Sequence, residues 1–521
     1  MKEENIINLL PKRKSRMLKL IFSRFAVFIL LILFQIFLLL AIYSWFYEYF
    51  PAFKIFQYVF SFCMVLYLFN CDMDSTGKLT WLFIIMISPV PATLLLWFTQ
   101  TSIGNRALKV RTSHLIRETQ SKIPQELSVI TDPQIVESCT DDLCRYLNKS
   151  GCFPVYSNTS VSYFSLGEEK FEALVKELRK AQKFIFMEYF ILDEGYMWGK
   201  ILGILIQKAK AGVEVRVMYD GMCEMSTLSS DYSERMEKFG IKCRAFSPVR
   251  PFLSTHYNYR DHRKICVIDG ETAFNGGVNL ADEYINRTER FGHWKDTAVM
   301  LKGEAVQSFT LMFLQMWNIM EKNPEWDKFL FGHTVPVYSQ GFVMPYADCP
   351  LDNEKVGENV YIDILSRAKK YVHIMTPYLI LDNELESALK YASMRGIDVK
   401  IILPGIPDKK VAFALAKTHY RSLIGAGVKI YEYSPGFVHA KVWTSDDSKA
   451  VVGTINLDYR SLYHHFECAT YMYKTKCISD IEWDFQETLS KCREVTSETI
   501  KNETLYYKAV GSLAKIISPL M

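Results

Sequence analysis

The chain has 521 residues, with 61 basic and 57 acidic side chains and a net charge of +4. That balance argues against nucleic acid as a partner, because such proteins carry a concentrated basic face; membrane phosphates stay open as targets. The twelve cysteines show no CxxC pair and no spacing of a zinc site or disulfide framework, so they read as reduced thiols facing a cytosol.

Apolar residues crowd the first hundred positions, while the rest mixes charged and apolar residues as soluble α/β proteins do. Phe25 to Tyr43 is a run interrupted only by Gln35, close to the roughly 20 residues that cross a bilayer as a helix. Ile55 to Phe69 is shorter, and Leu79 to Phe98 carries Pro89 and Pro91, which kink a helix. Lys12, Arg13, Lys14, Arg16, Lys19 and Arg24 precede the first segment, and Arg106, Lys109, Arg111 and Arg117 follow the last. Both flanks therefore prefer the cytoplasm, which predicts two spanning helices, with three as the other count, and a multi-pass protein of the cell membrane. The expected organisation is a membrane anchor over residues 1–105, a linker over 106–145, and two halves over 146–335 and 336–521.

The two halves follow from an internal repeat. The stretch from Ala181 to Met187 resembles that from Ala368 to Ile374, and Ala211 to Val217 matches Arg395 to Ile401, each a helix end running into an alternating strand. Phe239 to Lys242 corresponds to Ala426 to Lys429, and Ser247-Pro248 to Ser434-Pro435. Alternating strand and helix signals in each copy predict an α/β sandwich of two similar halves around one shared site.

The last match carries chemistry. Both copies read HxKxxxxD, as His262, Lys264 and Asp269 and as His439, Lys441 and Asp446. A GxxN follows at the same distance in each, ending in Asn279 and Asn456. Residues two apart on a strand face one side, so each histidine projects with its lysine. If the halves meet about a pseudo-twofold axis, two imidazoles, two ammoniums and two amides converge. Such a site suits a phosphodiester: lysines and asparagines hold non-bridging oxygens, one neutral histidine attacks phosphorus, and the other gives a proton to the leaving alkoxide. This chemistry needs no metal and no other cofactor.

HxKxxxxDxxxxxxGxxN present twice is similar to the signature of the phospholipase D superfamily, and the surroundings resemble its bacterial cardiolipin synthase family. The likeness extends to the segments 259–264, 274–284, Trp294 to Asp296 and Asn456 to Leu462, the last running on to Phe466-Glu467. It implies phosphatidyl transfer between two phosphatidylglycerol molecules, with His262 as nucleophile, His439 as acid and base, and Asp296 and Glu467 orienting the histidines. Membrane lipids are then the partners. The nearest alternatives are a phospholipase D-type hydrolase and a phosphatidyltransferase with another acceptor; a binding protein on a dead scaffold would have lost one of His262, Lys264, His439 or Lys441. Asp269 and Asp446 belong to the motif, yet a carboxylate five residues past the lysine fixes a turn more readily than it touches substrate. Where the family has GSxN, this chain has Gly277 and Thr454. Thr454 keeps a hydroxyl for phosphate, whereas Gly277 has none and makes the halves unequal. His464 and His465 adjoin Glu467, but neighbours on a strand point to opposite faces and so share no ion.

Overall fold

The computed structural model describes residues 6–10, 24–71, 73–101, 106–138, 140–248, 259–330, 337–352 and 354–520. Among these residues no helix is long and apolar enough to cross a membrane. The expected transmembrane helices are therefore corrected. The physical reason is plainest in the third apolar stretch, where the chain breaks at Ser88 and Pro89 into helices Ser75–Ile87 and Pro89–Thr101 of 13 residues each. At 1.5 Å per residue each reaches about 20 Å, short of the roughly 30 Å hydrocarbon core. These helices instead pack with helix Pro51–Asn70 around Leu68, Trp81, Ile85, Ala92 and Leu96. Part of the side chains of helix Arg24–Tyr49, and the basic residues 12–19, lie outside the described residues.

Residues 106–145, expected as a linker, are largely helical. Leu115, Ile123, Ile135 and Leu143 from this stretch join the main apolar core.

The first half is a seven-stranded sheet. Its strands are β1 (Thr159–Phe164), β2 (Phe184–Tyr189), β3 (Glu214–Asp220), β4 (Lys242–Phe246), β6 (Lys264–Ile268), β7 (Thr272–Gly276) and β9 (Ala298–Gly303), in the order β1-β9-β7-β6-β2-β3-β4. Two short strands, β5 (Arg260–Asp261) and β8 (His293–Lys295), stand outside it. The second half has β10 (Phe342–Asp348), β11 (Tyr371–Met375), β12 (Asp398–Pro404), β13 (Lys429–Tyr433), β15 (Val442–Ser445), β16 (Lys449–Gly453), β17 (His465–Tyr473) and β18 (Cys492–Glu494), plus the short β14 (Gly436–Val438). Its order, β10-β17-β16-β15-β11-β12-β13-β18, repeats the first sheet strand for strand and adds β18 at the edge. The parallel pairs β2-β3 and β11-β12 are made possible by the crossover helices Tyr196–Lys210 and Asn383–Met394. β2 is buried along its whole length, which is why it reads as an apolar run broken only by Glu188.

One apolar core runs through both halves. At its centre helix Val306–Trp317 is buried on nearly every side, as a helix apolar all round must be. Phe313 on this helix stacks on Phe186 of β2 at 4.6 Å. Truncation of a ring packed this way costs about 3–5 kcal/mol. At the carboxyl end of the chain, helix Leu505–Ile516 lies on helix Lys410–Gly425, where a Cβ at Gly511 would come within 2.4 Å of the Ala414 carbonyl. Only glycine permits that approach.

The halves exchange their short strands. β5 of the first half pairs in parallel with β17 of the second, and β14 of the second pairs in parallel with β8 of the first. The motif histidines follow immediately after these two strands.

Candidate active site

Each histidine occupies the point where the chain leaves the opposite half and enters its own sheet. His262 lies between β5 and β6, and its backbone N–H donates to the Phe466 carbonyl at 2.9 Å. His439 lies between β14 and β15, and its N–H donates to the Lys295 carbonyl at 2.7 Å. The residue after each accepting carbonyl is the acid that meets the imidazole. Nδ1 of His262 lies 2.8 and 3.0 Å from the Glu467 oxygens, and Nδ1 of His439 lies 2.6 Å from Asp296 Oδ2. Both carboxylates are fully buried, and both act across the pseudo-twofold relation.

The lysines complete the centre. Lys264 Nζ donates to the His262 carbonyl at 2.5 Å, and Lys441 Nζ donates to the His439 carbonyl and lies 2.9 Å from His439 Nδ1. All four side chains are buried, with His262 at 6% and His439 at 8% exposure. Burial, then Lys264 and the neighbouring His465 and Lys441, hold His262 well below the ordinary histidine pKa. The same effects, with Lys441 as the largest charge, push His439 down to about 4 against the pull of Asp296. Burial also lowers Lys264 to about 8 and Lys441 to about 7. The free site thus holds neutral imidazoles and readily neutralised amines, an arrangement that an anionic phosphodiester would recharge.

Rings wall this centre. Phe190 meets His262 edge-on at 4.9 Å, while Tyr284, Trp294 and Phe437 surround His439 at 5.4, 5.5 and 5.9 Å. Beneath His439, Lys295 forms a buried ion pair with Asp484 at 2.7 Å, fastening β8 to helix Ile478–Leu489 of the other half. Phe190 and Asp484 carried no sequence signal, since neither sits in a motif or at a fixed spacing from one, whereas Lys295 lies inside the Trp294 to Asp296 segment without having been singled out.

The remaining motif residues divide. Asn456 is buried with an unpartnered amide oxygen, whereas Asn279 accepts from the Ile191 N–H at 3.0 Å and donates to the Tyr284 hydroxyl at 2.8 Å. Thr454 donates to Glu467 Oε2 and accepts from the Cys468 N–H at 3.0 Å, so its hydroxyl braces the acid. At Gly277 an added Cβ would lie 2.0 Å from Asp296 Oδ1, leaving no room for the corresponding hydroxyl. Asp269 and Asp446 are not brought to the histidines. Asp269 accepts from the N–H groups of Gln182, Lys183 and Phe184, and Asp446 from those of Lys369, Lys370 and Tyr371. Each sits in the left-handed region just beyond its strand, about 16 Å of extended chain from the lysine.

Two like α/β halves that share a centre built from both define a phospholipase D-type protein. The fold is similar to that of phosphatidylserine synthase from Haemophilus influenzae Rd KW20, with a TM-score of 0.55 over 73% of this chain and 98% of that one at 16% identity. The family model described as "Cardiolipin synthase, PLD-like domain" matches residues 174–317 and 361–489. The chain is 37% identical to a cardiolipin synthase of Geobacillus sp. (strain WCH70) over 73% of its own length and 76% of that protein. It is also 37% identical to cardiolipin synthase 2 of Bacillus cereus, over 73% of its length and 74% of that protein. An uncharacterized protein of Streptococcus mutans serotype c is 58% identical over 88% of the chain and 99% of that protein. The chain belongs to the cardiolipin synthase family of phospholipase D-like proteins, and it is a phosphatidyltransferase.

Proposed function

We propose that two phosphatidylglycerol molecules react at this centre to give cardiolipin and glycerol, through a phosphatidyl group carried on His262. The reading rests on one observation above all: two HxK pairs meet, each histidine backed by a buried carboxylate of the other half. With Nδ1 held by Glu467, His262 presents Nε2 to phosphorus. A P–N bond forms, the P–O bond to glycerol breaks, and His439 gives its proton to the departing oxygen. The headgroup hydroxyl of the second lipid then attacks phosphorus and passes its proton to His439. The P–N bond breaks and His262 is restored. Lys264, Lys441 and Asn456 hold the non-bridging oxygens; Asn279 and Thr454 support the shell that carries them, and Asp269 and Asp446 the turns beyond.

Residues 146–335 and 336–521 supply one histidine each, with residues 1–105 and 106–145 ahead of them. Both substrates are lipids, so the enzyme works at a surface of the cell membrane. A cytoplasmic position is supported by eleven unpaired cysteines among the described residues, because thiols persist in reducing compartments.

The test is purified protein with labelled phosphatidylglycerol in liposomes, the lipid products being separated by chromatography. Cardiolipin with an equal amount of glycerol is expected, and neither in His262→Ala or His439→Ala. Phosphatidic acid as the main product would make the enzyme a hydrolase and overturn this reading.

A further inference from the structure

His465 has no part in the chemistry above. It lies two residues before Glu467 on β17, so both side chains leave one face of the strand, and His262 arrives at that face from the other half. His465 Nδ1 is 3.8 Å from Glu467 Oε1, and His262 Nδ1 is 2.8 Å from the same oxygen. One ligand atom from each of the three falls within 4.8 Å of the other two. The imidazole of His465 is only 8% exposed, yet neither ring nitrogen has a hydrogen-bond partner. Its nearest rings, His262 at 5.4 Å and Phe190 at 6.4 Å, satisfy no nitrogen lone pair. A buried polar group left so costs stability unless it binds something.

We propose that His262, His465 and Glu467 form a site for a zinc-class divalent cation, and that its occupancy switches the enzyme off. Two imidazoles and one carboxylate suit a borderline ion such as Zn²⁺ or Co²⁺, whereas Mg²⁺ and Ca²⁺ prefer oxygen. Ligand atoms about 2.0–2.1 Å from a tetrahedral zinc stand about 3.4 Å apart, and the 2.8 and 3.8 Å separations bracket that spacing. A cation on His262 Nδ1 takes the place of the hydrogen bond that orients the ring and draws off the electron density that attack requires. The counterpart of His465 in the first half, on β8 two residues before Asp296, is Trp294, which offers no ligand. The first half accordingly does not duplicate the site, although the centre is pseudo-symmetric. Inhibition rests on His262 being the nucleophile; cation binding does not.

The test titrates metal-free full-length protein with Co²⁺, following the visible bands of a tetrahedral complex, then displaces it with Zn²⁺, and separately assays lipid transfer with Zn²⁺ and after added chelator. One equivalent of Co²⁺, displaced by Zn²⁺, and chelator-reversible inhibition are expected. His465→Asn should weaken binding about tenfold or more, and His464→Asn should leave it unchanged. Absence of tetrahedral bands, or equal binding in His465→Asn, overturns the proposal. Should His465→Asn fail to fold by circular dichroism, X-ray absorption at the zinc edge of the wild-type protein decides: two imidazoles and a carboxylate support the site, and any other set sinks it. Intact Co²⁺ binding by a protein that makes no cardiolipin even when metal-free would defeat the proposed lipid reaction and leave the metal site standing.

Discussion

Glu467 of the second half lies 2.8 Å from Nδ1 of His262 in the first, and Asp296 stands in the same relation to His439. Neither half alone holds an oriented histidine. Replacing Glu467 by Gln or Asp296 by Asn keeps the shape but exchanges an oxygen at Nδ1 for an N–H donor, which removes the contact that fixes the tautomer and supports imidazolium. A fall in kcat of roughly a hundredfold to ten-thousandfold is expected, with the thermal transition little changed. Steady-state transfer assays beside thermal melts check this, and activity within threefold of wild type would refute the orienting role.

The two histidines should separate when the leaving group needs no proton. With a phosphatidyl ester of p-nitrophenol, His439→Ala is expected to release nitrophenol once and then stall as a phosphohistidine. His262→Ala should do neither. Mass spectrometry of the intact protein reads the adduct, and an adduct in His262→Ala would reverse the assignment.

Gly277 leaves the space that Asp296 occupies, since a Cβ there would sit 2.0 Å from the carboxylate. Gly277→Ala should push Asp296 from His439 and lower kcat at least tenfold, approaching the effect of Asp296→Asn. Unchanged turnover would mean that Asp296 can shift without loss.

Asp269 ties three backbone N–H groups ahead of β2, far from the centre. Asp269→Ala strands those donors and should destabilise the fold by about 2–3 kcal/mol, while the folded fraction keeps kcat within about twofold. Asp446→Ala, which loosens the turn ahead of β11, should behave alike. Chemical denaturation and transfer assays on the same preparations separate the two effects.

His439 must be protonated to act as an acid, yet in the free enzyme its pKa is pushed down to about 4. Because this value lies below neutrality, the ring carries no proton at pH 7 until an anionic phosphodiester between the lysines raises it. Binding of a non-reactive phosphodiester lipid analogue should therefore take up about one proton at pH 7, more if the amine of Lys441 recharges as well. Calorimetry in buffers of different ionisation enthalpy measures the uptake, and binding heats independent of buffer would contradict it.

The repeat, its strands and the paired HxK motifs were legible in the chain because they are local. Strand periodicity and a five-residue spacing are properties of neighbours in sequence, and each copy repeats them. The membrane expectation came from the same kind of reading and misled, because Pro89 reads as a kink where the chain breaks at Ser88 and Pro89, and local pattern does not register how the pieces pack. The sequence placed His262 and His439 on strands; the tertiary structure places them at the crossings between halves. It also decides which acid serves which histidine, across 205 and 143 residues of chain. That choice depends on β5 joining β17 and β14 joining β8, pairings between distant backbone edges that no spacing encodes. The convergence of His465 on His262 arises in the same way, for it needs the face of one strand and the arrival of another.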